Sequence, residues 1–554
     1  MKKYLRFLTL LCAVMLVFGL LAGCSGEKTP GPTATPSGEP AQSAAPEQPP
    51  EEPANKYVYK MPIAEEMYTI SAWRPYTSTY LTSPNEILAN IELEKRTNIH
   101  IDYKLVPMDD STTQYNLMVT SGDYTDIIFQ GMNGGTPAYS GGLDKAISDG
   151  VLLELTDVVN KWMPNFKSYM DQNEDIRKQM HTDSGKIAAI NVIQNGNEPA
   201  WVGPGIRLDL LNKVGISEVP QTYDELYVAL TKFKNELAVE QPLIIMASGF
   251  STLSHGMTAG FDVAPGFYNQ DGTVKFGFIE PGFKEYITMM HKWYKEGLID
   301  QEFYTRTAYT DFVAMDRIPA GKVGASENMM YTMPNMYKMM SGNPEFHMVA
   351  MPFPRKSADY VAHFRRFNEI TGTTAIAVST AVTDIDKLEK IARWLDYRFS
   401  EEGALLLNYG IEGETFEFVD GKPVFNDRIL KDPNGIAPGD MMQQLTDPGY
   451  GAFYDWTRNR STVSDEEWAA YDIWGDSASG DWVMPPVTLT SEEGTEYSAI
   501  YGDIETLITE AIPQFITGQK SLSEYDAFVE QIKSMDIARC IEIYQDALDR
   551  YLNR

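Results

Sequence analysis

Apolar and polar positions along the chain alternate between two kinds of pattern. Short apolar runs bounded by turn residues recur at Met67 to Ser71, Ile99 to Val106, Asp126 to Phe129, Leu243 to Ala247 and Ala375 to Val378. Several lack polar alternation, which predicts strands covered on both faces. Between them lie helical periods. Phe283, Tyr286, Ile287, Met290 and Tyr294 share one helix face, and Gly297 follows as a C-cap. Leu388, Ile391, Ala392, Leu395 and Phe399 repeat at the same spacing, with Thr383 or Asp384 as N-cap. Ser521 and Glu524 form a capping box ahead of Tyr525, Phe528, Val529 and Ile532. Asp271-Gly272 and Asp420-Gly421 sit between apolar-aromatic runs and predict two hairpins. Strands alternating with helices indicate an α/β body with open parallel sheets. The last hundred or so residues are largely helical by pattern, with Pro513 kinking or breaking one helix. No internal repeat of fixed period is visible.

The first 55 residues follow neither pattern. Lys2, Lys3 and Arg6 precede a nearly continuous apolar stretch from Leu8 to Leu21. That stretch is shorter than the roughly 20 residues a spanning helix needs, and it has the layout of an export signal over residues 1–23. Leu21-Ala22-Gly23-Cys24 resembles a bacterial lipobox, in which the Cys thiol is diacylated and becomes the first mature residue. Two acyl chains give stable anchoring where one is marginal. Residues 24–55, rich in Pro, Ala, Ser and Glu, cannot bury enough surface to offset chain entropy. They predict an extended tether, about 3 Å per residue.

About 500 residues remain, more than one hydrophobic core organises, so two lobes or more are expected. Formal charge is −31, and loss of the three cations in the signal leaves −34. Such a body repels nucleic acid and anionic lipid. Of three Cys, Cys12 leaves with the signal and Cys24 is the anchor. Cys540 is then alone, expected as a small buried apolar residue, with no intramolecular disulfide possible.

Catalytic signatures are missing from the sequence. The six His show no zinc-protease spacing, and neither a Gly-x-Ser-x-Gly elbow nor a Gly-x-x-x-x-Gly-Lys loop occurs. Carboxylate pairs such as Glu65-Glu66 and Glu401-Glu402 read as solvated acidic faces rather than glycosidase pairs. Asp171-x-Asn173-x-Asp175 resembles the start of a calcium loop, but Ile176 and Thr182 stand where Gly and Glu are required. A helix start with acids in its first turn explains it more simply. No metal and no cofactor are expected.

Four stretches together resemble the bacterial extracellular solute-binding proteins of the carbohydrate-uptake type, in particular their long lipoproteins. Ser121-Gly122-Asp123-Tyr124-Thr125-Asp126-Ile127-Ile128 is similar to the family's S-G-D-x-P-D-I run, with Thr125 in place of Pro. Arg207-Leu208-Asp209, followed by Gly215-Ile216 and Val219-Pro220-Gln221-Thr222, resembles its R-x-D…G-I…V-P-x-T segment. Trp293 to Asp300 is similar to its Y-K-E-G-L-I-D signature. Asn408-Tyr409-Gly410-Ile411-Glu412-Gly413-Glu414 is the most specific match, to the long subgroup. The resemblance implies a two-lobe, periplasmic-binding-protein-like α/β fold with a hinge and a ligand cleft between lobes. It implies 56–185 plus 372–460 in the first lobe and 186–371 plus 461–554 in the second. It also implies a monomer that captures an oligosaccharide or other small solute and delivers it to an ABC transporter permease. The place of action would be the outer face of the cell membrane.

Sugars offer flat apolar faces ringed by hydroxyls, so their sites combine aromatic platforms with planar polar groups. Aromatics in loops after strands, with polar neighbours, are the candidates: Trp73 and Tyr76 after the first strand, Trp201 with Arg207, and Tyr268. Arg365 and Arg366 precede the presumed crossing strand. Glu412 lies in its Gly-rich loop, and Trp456 and Trp474 in an aromatic-rich stretch before the last helices. Glu412 has an alternative role, holding its own loop by accepting backbone N–H groups. A surface polysaccharide-degrading enzyme also fits the acidic and aromatic content, and an adhesion or sensory lipoprotein without a transport partner is a third reading.

Overall fold

The computed structural model describes residues 60–131, 137–196, 200–250, 257–306, 317–318, 320–329, 340, 342–364 and 371–554. The expected signal, Cys24, the expected tether and the Arg365-Arg366 pair lie outside the described residues. The strands, in chain order, are β1 (Tyr68–Pro75), β2 (Ile99–Val106), β3 (Ile127–Gly131), β4 (Ala189–Gln194), β5 (Val202–Arg207), β6 (Gln241–Leu243), β7 (Phe267–Gln270), β8 (Thr273–Phe276), β9 (Val323–Met329), β10 (Met348–Ala350), β11 (Thr371–Val378), β12 (Phe416–Val419), β13 (Lys422–Phe425) and β14 (Phe453–Tyr454).

Two sheets organise the fold. One has six strands in the order β14-β4-β11-β3-β1-β2, the other four in the order β10-β5-β9-β6. Each carries its own core. Ile70, Phe129, Ile376 and Trp394 belong to the first, and Ile206, Phe233, Tyr286 and Phe515 to the second. This is a two-lobe, periplasmic-binding-protein-like α/β fold. The sheets are mixed, not parallel throughout. β1 runs parallel to β2 and β3, but β11 is antiparallel to β3 and β4, and β5 is antiparallel to β9 and β10. The physical reason is connectivity. β4 hands the chain to the other sheet and β11 receives it back, so neither is part of a simple right-handed β-helix-β crossover.

The chain passes between the sheets three times: at 195–201 from β4 to β5, at 351–370 from β10 to β11, and after β14. The third passage leads into the helix Asp465–Ser477, which packs on β10 and β5. A division at 185/186 would assign β4 to the second lobe, but β4 pairs with β11 in the six-stranded sheet. The first and third passages are bonded to each other. Asn195 Nδ2 donates to Asp455 Oδ1 at 2.6 Å, and the Trp456 N–H donates to Asn195 Oδ1 at 3.3 Å.

Local signals explain most elements. The helix Pro281–Lys295 buries Phe283, Tyr286, Ile287, Met290 and Trp293, and Gly297 follows at φ 68°. Asp384 caps the helix Ile385–Tyr397 through the Asp386 N–H. Both Asp-Gly pairs close two-residue hairpins, β7-β8 and β12-β13. The Ser521–Glu524 capping box forms on a short 3-10 turn that leads into the helix Tyr525–Ser534. Asn173 accepts from the Asp175 and Ile176 N–H groups and caps the helix Glu174–Met180, while Asp171 pairs with Lys167. Cys540 is fully buried, and burial pushes its thiol up to about 11.

Two expectations are revised. The run Leu243–Ala247 pairs only as far as Leu243. Of the two outcomes expected at Pro513, a kink or a break, the break does not occur: the helix runs from Ser491 to Thr517 with the ring inside it. Buried Ile504, Ile508, Ile512, Phe515 and Ile516 hold that helix on the second core, and such tertiary packing outweighs one lost backbone hydrogen bond.

Candidate functional site

A cavity of about 640 Å³ opens at the carboxyl end of β1, beside the first and third passages. That is where ligands bind in open α/β sheets. Arg74 and Tyr76 enter from β1, and the Tyr76 N–H is tied to the Val106 carbonyl at the end of β2. Trp201 comes from the first passage. Tyr454, Trp456 and Arg458 come from β14 and the 3-10 segment after it, Trp456–Thr462. The helix Pro438–Leu445 and the turn Thr446–Gly449 supply Asp440, Gln443, Thr446 and Asp447.

One half of the floor is a closed ion pair. Arg74 donates from Nη1 and Nη2 to the two oxygens of Asp447 at 2.8 and 2.9 Å. Both side chains are more than nine-tenths buried. Asn90 Nδ2 adds a third bond to Asp447 Oδ2 at 2.9 Å. Phe129, Tyr450, Tyr76 and Tyr103 surround the guanidinium. Burial alone would push the Asp447 carboxyl up. The charge and hydrogen bonds of Arg74, with Arg398 and Asn90, outweigh it and bring the group down to about 2. Arg398, buried at the end of the helix Ile385–Tyr397, donates to the Tyr450 and Gly451 carbonyls at 2.8 and 3.1 Å and so fastens this turn.

The other half is aromatic and less complete. Asp455 caps the 3-10 segment through the Thr457 N–H. Trp456 stacks on Trp468, centroids 5.8 Å apart at 18°, and meets Tyr471 edge-on. Its Nε1–H is buried with no described partner. Arg458 is buried and donates from Nη2 to the Thr446 hydroxyl at 2.6 Å. Burial pushes its pKa down from the ordinary arginine value, against the pull of Tyr454, Tyr409, Asp455 and Asp447.

Of the residues expected at the site, Tyr76, Trp201 and Trp456 line this cavity. Trp73 does not. β1 extends through Pro75, four residues beyond the run that predicted it, so Trp73 lies within the strand rather than in a loop after it. Side chains alternate across a strand. Arg74 therefore takes the cavity face, and Trp73 is buried edge-on against Tyr115 at 5.7 Å. Arg207 is buried in its own ion pair with Asp209, at 2.7 and 2.6 Å, and lies over Phe346. Tyr268 sits within β7, packed on Phe364 and Trp482. Trp474 is fully buried and packs on β5. Its Nε1–H donates to the Pro204 carbonyl at 3.0 Å, and a Cβ at Gly203 would come within 2.5 Å of its ring. Glu412 is exposed. Its loop is held instead by Thr415, whose Oγ1 accepts from the Ile411 N–H and donates to the Tyr409 carbonyl.

Sequence reasoning missed Arg74, Asp447 and Arg458. Arg458 stands two residues beyond a candidate Trp in an irregular stretch, which was the available signal. Asp447 is distant from Arg74 in sequence and had none.

No family model matches the chain. It is 23% identical over 499 residues to the fructooligosaccharide ABC transporter substrate-binding protein FusA of Streptococcus pneumoniae serotype 4 (strain ATCC BAA-334 / TIGR4), covering 84% of this chain and 88% of that one. It is 22% identical over 462 residues to the lipoprotein LipO of Bacillus subtilis (strain 168), covering 79% and 84%. Among solved structures, that of the alginate-binding protein AlgQ2 without calcium ion superposes with a TM-score of 0.69 at 23% identity, covering 88% of this chain and 99% of that one. The fold is thus that of the solute-binding proteins the sequence resembles, and the likeness runs through nearly the whole described body.

Proposed function

We propose that this protein captures an oligosaccharide outside the cell and passes it to the permease of an ABC importer, held at the outer face of the cell membrane through a diacylated Cys24. The cavity carries this reading. Its volume suits a small ligand. Tyr76, Trp201, Tyr454 and Trp456 give it flat apolar walls, and Arg458, Gln443 and Asn459 give it planar polar groups, the combination a sugar needs. The relationship to a fructooligosaccharide-binding transporter component and to a lipoprotein supports both the cargo class and the anchor. The position beside two passages between sheets supports lobe closure on the ligand.

Binding without turnover is the simpler reading of the lining carboxylates. Asp447 is locked to Arg74 and ionised down to about pH 2, so it is no general acid near neutrality. Asp440 accepts from the exposed Tyr80 hydroxyl on the rim.

Thermal unfolding in the presence of an oligosaccharide panel tests capture. A ligand at a hundredfold excess over its Kd adds roughly 2.7 kcal/mol, a visible rise in Tm; no rise with any sugar would sink the reading. New reducing ends in the same mixtures would replace it with hydrolysis. Cys24→Ala should shift the protein from the membrane fraction to the medium and leave sugar affinity unchanged. Lower affinity would break the separation of tether from binding body.

A further inference from the structure

Arg458 is a buried cation with an unfinished set of partners. It is 6% exposed and lines the cavity. Nη2 is taken by Thr446, but Nε and Nη1 are buried without a described partner. The two carboxylates that act on it are already engaged. Asp447 is held by Arg74 and Asn90, and Asp455 accepts from Asn195, Thr457 and Tyr409. Beside it on the cavity wall, the Trp456 Nε1–H is also buried and unbonded.

These orphaned groups have one chemistry. A guanidinium and an indole N–H donate and never accept. A buried donor left dry is costly, and a buried charge without a countercharge more so. A sugar hydroxyl would satisfy a donor and leave the charge uncompensated. A carboxylate offers two oxygens to the guanidinium fork and cancels the charge. We propose that Arg458 and Trp456 form an acid-reading subsite and that the captured saccharide places a uronate carboxylate there. This rests on the proposed capture of an oligosaccharide in the same cavity. The chain's large negative charge does not oppose it at this range. Surface charges are screened over about 8 Å at physiological salt, whereas the Arg458 contact is direct and sheltered from water.

Titration calorimetry on the purified full-length protein tests the subsite. The probes are uronate oligosaccharides of two to four units from the galacturonate, glucuronate and mannuronate series, each beside its carboxyl-reduced neutral form. At least one acid form is expected to bind about 10- to 100-fold more tightly than its neutral counterpart. Arg458→Met should bring that ratio to within about threefold of unity, and Trp456→Phe, which removes the indole N–H donor and keeps a smaller aromatic ring, should reduce it partly. The unliganded Tm of Arg458→Met should stay level or rise, because an apolar side chain replaces an unpaired buried charge; a purely structural arginine would give a fall. Neutral forms binding as well as acid forms would overturn the subsite and leave oligosaccharide capture standing. A ratio that survives Arg458→Met would also overturn it. Failure of every acid and neutral form to bind would remove the subsite and the capture reading together.

Discussion

Two buried guanidiniums share one cavity wall and differ in what completes them. Arg74 has Asp447 against both Nη atoms, four aromatic rings around it and a second donor, Asn90, on the same carboxylate. The fold neutralises that half of the floor and leaves only Arg74 Nε without a described partner. Arg458 has one hydroxyl, the rings of Phe425 and Tyr454, and two nitrogens without a described partner, and no carboxylate is bonded to it among the described residues. The difference separates what holds the cavity open from what waits for an occupant. A paired buried charge resists perturbation because removing either partner strands the other. An unpaired one costs stability in the empty protein and returns it when a ligand binds.

The largest effect should come from breaking the closed half. Arg74→Met leaves buried Asp447 with only the Asn90 hydrogen bond and the more distant Arg398 charge, and should cost about 3 to 5 kcal/mol in denaturant unfolding. The double variant Arg74→Met/Asp447→Leu should recover part of that loss, since it removes the stranded carboxylate while leaving buried Arg398 without the Asp447 charge; a double variant as unstable as the single would mean that packing and the Arg398 charge, not the Arg74–Asp447 pair, dominate there. Acid should act next. The Asp447 carboxyl is depressed to about 2 from an ordinary value near 4. Its contribution, about 2 kcal/mol, is therefore fully present above pH 4 and lost as pH falls toward 2. Unfolding midpoints across pH 4.5 to 2 should show this loss in the wild type and its absence in the double variant. A smaller change is expected for Asn90→Ala, about 1 to 2 kcal/mol, as one hydrogen bond to a charged group is removed. The smallest belongs to Arg458→Met, whose unliganded stability should change by less than about 1 kcal/mol or increase. A large loss would erase the contrast between the two arginines.

What the sequence disclosed divides along the same line. Features set by neighbours in the chain were legible: the Asp-Gly hairpins, the caps at Asp384 and Gly297, the helical stripes and the burial of Cys540. The motifs behind the family resemblance proved to be joints of the fold. Asp126 accepts from the Ser71 N–H and hydroxyl and from Lys387, tying β1, β3 and the Ile385–Tyr397 helix. Arg207 pairs with Asp209. Asn408 donates to the Phe453 carbonyl and accepts from the Asp455 N–H, which seats the third passage. Such motifs report architecture, and so they identified the fold while pointing past the cavity.

The site was harder because it depends on strand facing and on residues distant in sequence. Trp73 and Arg74 are adjacent, and only the true end of β1 decides which of them reaches the cavity. Arg74 and Asp447 are 373 positions apart. Trp474 and Tyr268 show why an aromatic count misleads: a Gly on β5 receives one and a hairpin core the other.

The most direct measurement is a crystal structure of the protein with its tightest-binding oligosaccharide. A second cavity of about 630 Å³, on the other sheet's side between the helices Tyr223–Leu237 and Pro281–Lys295, is the built-in control. The sugar is expected in the first cavity, its rings against Trp456 and Trp201 and its carboxylate on Arg458. A sugar seated instead between Tyr227, Lys292 and Trp293 would contradict it.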